Sequence, residues 1–155
     1  MKTCILILDN LRSVENAGSV FRTAEGLGVK KVVCVGTTPT PLDRFGRKRA
    51  DFAKVSLGAE ELPWEYAKEI GPVLKDLKEQ NFQIIALEQT PDSKDLKEFK
   101  TGDMFALVVG NEVDGVSKDA LELADSVLEI KMQGKKESLN VSVSTGIALF
   151  RLMLE

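Results

Sequence analysis

Five short runs rich in aliphatic residues, at 4–8, 31–35, 83–87, 104–109 and 126–130, recur along the chain with longer stretches of helical period between them. Several of the runs are apolar on consecutive positions, as strands covered on both faces are, whereas a strand with one wet face alternates. The intervening stretches 16–28, 65–80, 117–124 and 140–154 read as helices. This alternation predicts an α/β fold with a mainly parallel sheet flanked by helices. The 155 residues suffice for one sizeable core, and no repeat, low-complexity tract or linker divides them, so 1–155 is expected to be a single domain. The irregular region 37–63, with Pro39, Pro41, Gly46, Gly58 and Pro63, is long for a plain connection and is expected to be functional or partly structured.

Residue inventory narrows the chemistry. The chain has no histidine, which removes Ser-His and Cys-His triads, histidine zinc sites and every imidazole acid–base scheme. Cys4 and Cys34 lie thirty positions apart inside apolar runs and read as reduced, buried thiols, so no metal is expected. No apolar run approaches the ~20 residues of a membrane span, and the N-terminus opens directly on a strand; a cytoplasmic protein without membrane association is the expectation. A formal charge of -3 gives no global attraction to a polyanion, so a nucleic-acid surface must be a local patch. One such cluster exists: Arg44, Arg47, Lys48 and Arg49 surround Phe45, four cations and a ring able to stack on a base.

Three segments can carry chemistry. In the first, a strand ends near Leu8 and Asn16 is a candidate N-cap for a helix whose buried stripe is Ala17, Val20, Phe21, Ala24 and Leu27. Gly18, Ser19, Arg22 and Glu25 take the opposite face, and Arg22 is expected to lean back over Gly18 toward the positive end of the helix, an anion site. In the second, the strand ending at Val109 runs into Gly110-Asn111-Glu112-Val113-Asp114-Gly115, after which Ser117 can cap a helix. In the third, a Gly134-Lys135-Lys136 loop precedes Ser138 or Asn140 as the cap of a final helix. There Val143, Ile147, Phe150 and Leu154 line one side while Val141, Ala148, Leu149 and Leu152 line much of the rest; a helix apolar over most of its circumference is expected to meet another subunit. Neither a phosphate-loop frame nor G-x-G-x-x-G is present, which argues against an ordinary dinucleotide site.

In order and spacing these segments resemble the three motifs of the SpoU/TrmH family of RNA 2'-O-methyltransferases, of the SPOUT class. Asn16-x-Gly18 with Arg22 is similar to motif one, Gly110-Asn111-Glu112-x-x-Gly115-Val116 to motif two, and Ser138-Leu139-Asn140-Val141-Ser142 with Gly146 to motif three. The resemblance implies a C-terminal deep trefoil knot, an exception to the general absence of knots. It implies S-adenosylmethionine as cofactor, held around Leu87, Glu88, Gln89, Thr90, Gly110, Asn111, Ile130, Met132, Ser138 and Leu139. It also implies a homodimer through the C-terminal helix, and RNA as partner. Asn16 and Arg22 would handle ribose and phosphate, Glu112 would orient the site, and Ser138 and Asn140 would complete the catalytic shell.

The implied chemistry suits a histidine-free chain, since a sulfonium methyl is already activated and alignment can supply about 7–11 kcal/mol. Arginine is a poor base, with a pKa above about 12, so Arg22 is assigned the adjacent phosphate. With no accessory RNA-binding domain expected, Arg44, Arg47, Lys48, Arg49, Lys135 and Lys136 would carry the RNA contact, and a compact tRNA is favoured over rRNA as substrate. Two rival readings are a non-catalytic RNA-binding homodimer of the same fold and a flavodoxin-like phosphoacceptor domain using Asp9.

Overall fold

The computed structural model describes residues 1–154. The elements run β1 (Thr3–Asp9), α1 (Val14–Gly26), β2 (Lys31–Val35), α2 (Ala50–Ser56), a 3₁₀ turn (Ala59–Glu61), β3 (Trp64–Ala67), α3 (Ile70–Glu79), β4 (Gln83–Leu87), β5 (Lys94–Asp95), β6 (Met104–Gly110), α4 (Lys118–Leu123), β7 (Ser126–Glu129) and α5 (Val141–Met153). All seven strands join one parallel sheet in the order β3-β2-β1-β6-β4-β7-β5. The consecutive apolar runs therefore do what parallel strands require: each buries both faces.

Alternate residues serve two cores. Cys4, Leu6 and Leu8 of β1 face α1, α2 and α5, together with Phe105, Leu107 and Val109 of β6. Ile5 and Ile7 face α3 and α4, with Ala106 and Val108. On the first side Phe21 of α1 meets Phe52 of α2 edge to face, with ring centres 5.1 Å apart. Registry aligns the strand ends: Asp9 stands beside Val35 and Gly110, and Leu87 beside Val109 and Leu128. Polar residues that follow these ends in sequence are thus delivered to one edge. No helix among the described residues is long and apolar enough to cross a membrane.

Several expected details differ. Residues 65–80 are not one helix. Trp64 and Tyr66 alternate with Glu65 in a short edge strand, and the helix begins only at Ile70, with Pro72 tolerated in its first turn. The region 37–63 contains α2, a helix too short to show a clear period and anchored by buried Phe52. Ser13, not Asn16, caps α1: its hydroxyl accepts the Asn16 backbone N–H at 3.1 Å, which starts the helix one turn earlier and frees the Asn16 side chain. Gly18 is buried, contrary to its assignment to the open face. A Cβ there would come within 2.9 Å of Val55 Cβ, so the missing side chain admits α2 and makes no room for Arg22.

Candidate active site at the carboxyl edge of the sheet

The site starts from Asn111, buried immediately after β6. Its side-chain oxygen accepts the backbone N–H groups of Val113 and Asp114 at 2.9 and 2.7 Å, and its amide donates to Asn10 O at 3.0 Å. The loop 111–115 therefore folds back on itself and is tied to the end of β1. Gly110 is obligatory, because a Cβ would overlap the Gly115 carbonyl. Gly115, at φ +68°, closes the turn in the left-handed region and lies against the Glu88 carboxylate, which accepts Val116 N–H at 2.9 Å. Arg12 pairs with Asp114 at 2.7 Å across the outside.

This folding presents Glu112 to Asn16. The Asn16 amide donates to Glu112 Oε1, and the Asn140 amide donates to Asn16 Oδ1 at 3.2 Å. Asn140 is the cap of α5: its own oxygen accepts Ser142 N–H at 2.8 Å and the Ser142 hydroxyl at 2.6 Å. One residue from each of the three segments thus meets in a single hydrogen-bonded row, the contacts spanning 96 and 124 residues of sequence. Only Oε1 of Glu112 is engaged among the described residues, leaving the other carboxylate oxygen available.

Two clefts share Leu87, Glu88, Ser138 and Leu139 in their walls, the last of these adjoining Asn140 in sequence. The first, of about 130 Å³, also has Gln89, Ile130 and Met132 on its lining; the second, of about 270 Å³, has Gly110, Asn111 and Glu112. Gln89 donates to Glu137 O at 2.8 Å, joining the loop after β4 to the loop before α5 into one wall. Of the ten residues expected around the cofactor, Thr90 alone stands outside both linings, in a turn closed by Ser93 at 3.1 and 2.7 Å. Glu129 and Ser144 line the first cleft and were not anticipated; the only sequence signal was that each flanks an expected residue within a turn or so. Aliphatic side chains of Leu87, Ile130, Met132 and Leu139 beside polar groups and backbone fit a flat heteroaromatic ring with a polar tail.

Arg22 is not brought into the row. It is exposed on α1, roughly 120° around the helix from Asn16, and has no hydrogen bond or ion pair among the described residues. In the basic loop, Arg47 pairs with Asp43 (2.9 Å), Arg49 with Asp51 (2.8 Å) and Lys48 with Glu61 (3.9 Å), leaving Arg44 without an ion pair among the described residues. Hydrogen bonds from the Arg47 and Phe45 backbone, and then the Arg47 side chain, hold the Asp43 carboxyl below its usual range, so this aspartate is the loop's organiser. Lys135 and Lys136 are exposed. Asp9 is wholly buried, accepting Asn10 Nδ2 at 3.0 Å and Ser117 N–H at 2.7 Å, which leaves no access for a phosphoryl donor and disposes of the phosphoacceptor reading. No cluster of three His, Cys, Asp or Glu side chains among the described residues could hold a metal ion.

A model of the SpoU rRNA Methylase family matches residues 3–150. The chain belongs to the SpoU family. Among curated relatives, the 23S rRNA (guanosine-2'-O-)-methyltransferase RlmB of Neisseria meningitidis is 36% identical over 146 residues, 94% of this SpoU chain and 56% of the relative. RlmB of Escherichia coli K12 is 34% identical over 147 residues, 94% of this chain and 58% of the relative. The chain therefore spans just over half the length of these relatives. Among solved structures, the A. aeolicus TrmH/SpoU tRNA modifying enzyme superposes with TM-score 0.85 at 28% identity, covering 99% of this chain and 75% of the other. A structure described as an RNA 2'-O ribose methyltransferase gives TM-score 0.81 at 30% identity, over 99% of this chain and 56% of that one.

Proposed function

We propose that this SpoU chain transfers a methyl group from S-adenosylmethionine to a ribose 2'-hydroxyl of RNA. The observation that carries the reading is the row Glu112–Asn16–Asn140, which joins all three motif segments beside a cleft of mixed apolar and polar lining. S-adenosylmethionine, when bound, supplies a methyl group on a positively charged sulfur, so the oxygen–carbon bond forms as the sulfur–carbon bond breaks and sulfur keeps the electron pair. Leu87, Gln89, Ile130, Met132, Ser138 and Leu139 would hold it. The chain's own groups then have three tasks. Asn16, itself held by Asn140, orients Glu112, whose open carboxylate oxygen would accept the ribose hydroxyl proton. Arg22, free of protein partners among the described residues, is left for the RNA phosphate. Lys135, Lys136 and Arg44 attract the backbone.

Ribosomal RNA replaces tRNA as the favoured substrate. The expectation of tRNA rested on residues 1–155 being read as the whole functional unit, whereas the curated relatives at 34–36% identity are named for 23S rRNA guanosine. The functional unit in this reading is a homodimer formed on α5: Val143, Ile147, Phe150 and Leu154 are all exposed, and a groove of about 580 Å³ opens between α1 and α5. We further infer the deep knot. Its support is that the chain passes from β6 to β7 outside β4, then returns through 130–140 to seat α5 against α1 and β6.

Incubation with methyl-labelled S-adenosylmethionine and unmodified 23S rRNA or bulk tRNA tests the assignment. Label is expected in the rRNA. Label confined to tRNA would reverse the substrate choice, and label in neither, with S-adenosylmethionine still bound, would favour the non-catalytic RNA-binding dimer.

A further inference from the structure

Another concavity takes no part in the motif row. It is an open groove of about 660 Å³ beside edge strand β3, with Thr37, Thr40, Arg44, Arg49, Trp64 and Tyr66 in its walls. Its size falls in the range of roughly 300–1,000 Å³ typical of small-ligand sites. Trp64 and Tyr66 stand on one face of β3, since strand side chains alternate. Trp64 packs against the α1 core, while Tyr66 is 54% exposed with its hydroxyl anchored to Gly36 O at 3.0 Å. A large aromatic ring left half in water yet tethered at its polar end is poorly explained by packing alone.

Charge and position narrow the occupant. Arg49 is held in the wall by its two bonds to Asp51, at 3.1 and 2.8 Å, whereas the Arg44 guanidinium has, among the described residues, only the Phe45 ring, 4.8 Å from its carbon. The Asp43 carboxylate in the same wall is turned to Arg47 and to the Phe45 and Arg47 N–H groups. Asn10 ties this groove to the loop that carries Glu112: it accepts Thr37 N–H on its side-chain oxygen at 3.1 Å and the Asn111 amide on its carbonyl at 3.0 Å. Aromatic faces for a base with a free guanidinium for a phosphate are the elements of single-strand RNA recognition. An acidic peptide would match the cations and leave the rings unused.

We infer that this groove binds an unpaired nucleotide close in the strand to the methylated one, its base on Tyr66 and its phosphate on Arg44. The inference rests on the RNA-methylation reading. It is tested on the full chain by filter binding of a labelled, unmodified 23S rRNA transcript, alongside methyl transfer to the same transcript and calorimetry with S-adenosylmethionine. Tyr66→Ala is expected to weaken RNA binding and raise KM about tenfold, Tyr66→Phe to remain near wild type because the ring persists, and cofactor affinity to stay unchanged in both. Arg44→Ala is expected to lower the salt slope of binding by roughly one. Tyr66→Ala within about twofold of wild type overturns the assignment, as does Tyr66→Phe as damaging as Tyr66→Ala, which would reveal a tether for Gly36 in place of a stacking platform. A wild-type chain that neither binds nor methylates the transcript or bulk tRNA overturns the methylation reading and the groove with it; normal methylation with an unaffected Tyr66→Ala overturns the groove alone.

Discussion

Arg22 and the two cysteines show how differently single residues depend on their surroundings. Arg22 is exposed and unpaired among the described residues and lines neither cleft, so its removal leaves the fold and both clefts intact. Arg22→Ala is therefore expected to abolish turnover while S-adenosylmethionine affinity, read by calorimetry, stays within a few-fold; near-normal turnover would remove its phosphate role. Cys4 and Cys34 are opposite in character. Burial pushes both thiols from the ordinary 9.0 up to about 12. Native protein at pH 8 should resist alkylation at both positions, and denatured protein should react at both. The sign for stability follows: above pH 9 only the unfolded chain readily loses these protons, so their contribution is complete below that pH and is lost as pH climbs toward 12. An unfolding titration across that window checks it.

Among the elements, α5 carries the sharpest division of labour. Ala148, Leu149 and Leu152 are buried against the sheet, while Ile147 and Phe150 remain 42% and 60% exposed. Ile147→Asp or Phe150→Lys should cost little monomer stability and shift a dimer to monomer in sedimentation at equal concentration; an unchanged mass would place the subunit interface elsewhere. This division was legible in the sequence, because the apolar circumference of 141–154 exceeds what one layer can cover. The strands were legible for a related reason, each run being apolar on both faces. Less legible were β3 and α2. Trp64–Ala67 owes its strand form to pairing with β2, a partner thirty residues away, and Ala50–Ser56 owes its helix to Phe52 meeting Phe21. Local period says little where tertiary contact decides. The site divides the same way: Asn16, Glu112 and Asn140 stand out by residue type, but their meeting, and the exclusion of Arg22 from it, depends on which strand ends lie side by side.

At the scale of the whole molecule, the proposed function requires an acidic chain to bind a polyanion through cations placed at one edge. Most of the basic loop is already paired, whereas Lys135, Lys136 and Arg44 are exposed and make no ion pair among the described residues. Reversing Lys135 and Lys136 together should weaken RNA binding and lower its salt slope by roughly two, measured by titration across ionic strength. Unchanged binding at low and high salt would exclude that loop from the interface. The missing histidines fit the same picture, since a donor that arrives activated asks the protein for alignment and one proton route. In the proposed mechanism alignment rests on the row that links Glu112, Asn16 and Asn140, and the row gives the account its most direct test. Unmodified 23S rRNA is incubated with S-adenosylmethionine and either the wild-type chain or Asn16→Ala, then digested to nucleosides and analysed by mass spectrometry. The expected result is a 2'-O-methylated nucleoside from the wild type and a yield lower by about 100-fold from Asn16→Ala, with cofactor binding preserved. Methylation on a base, or an Asn16→Ala protein as active as wild type, would contradict it.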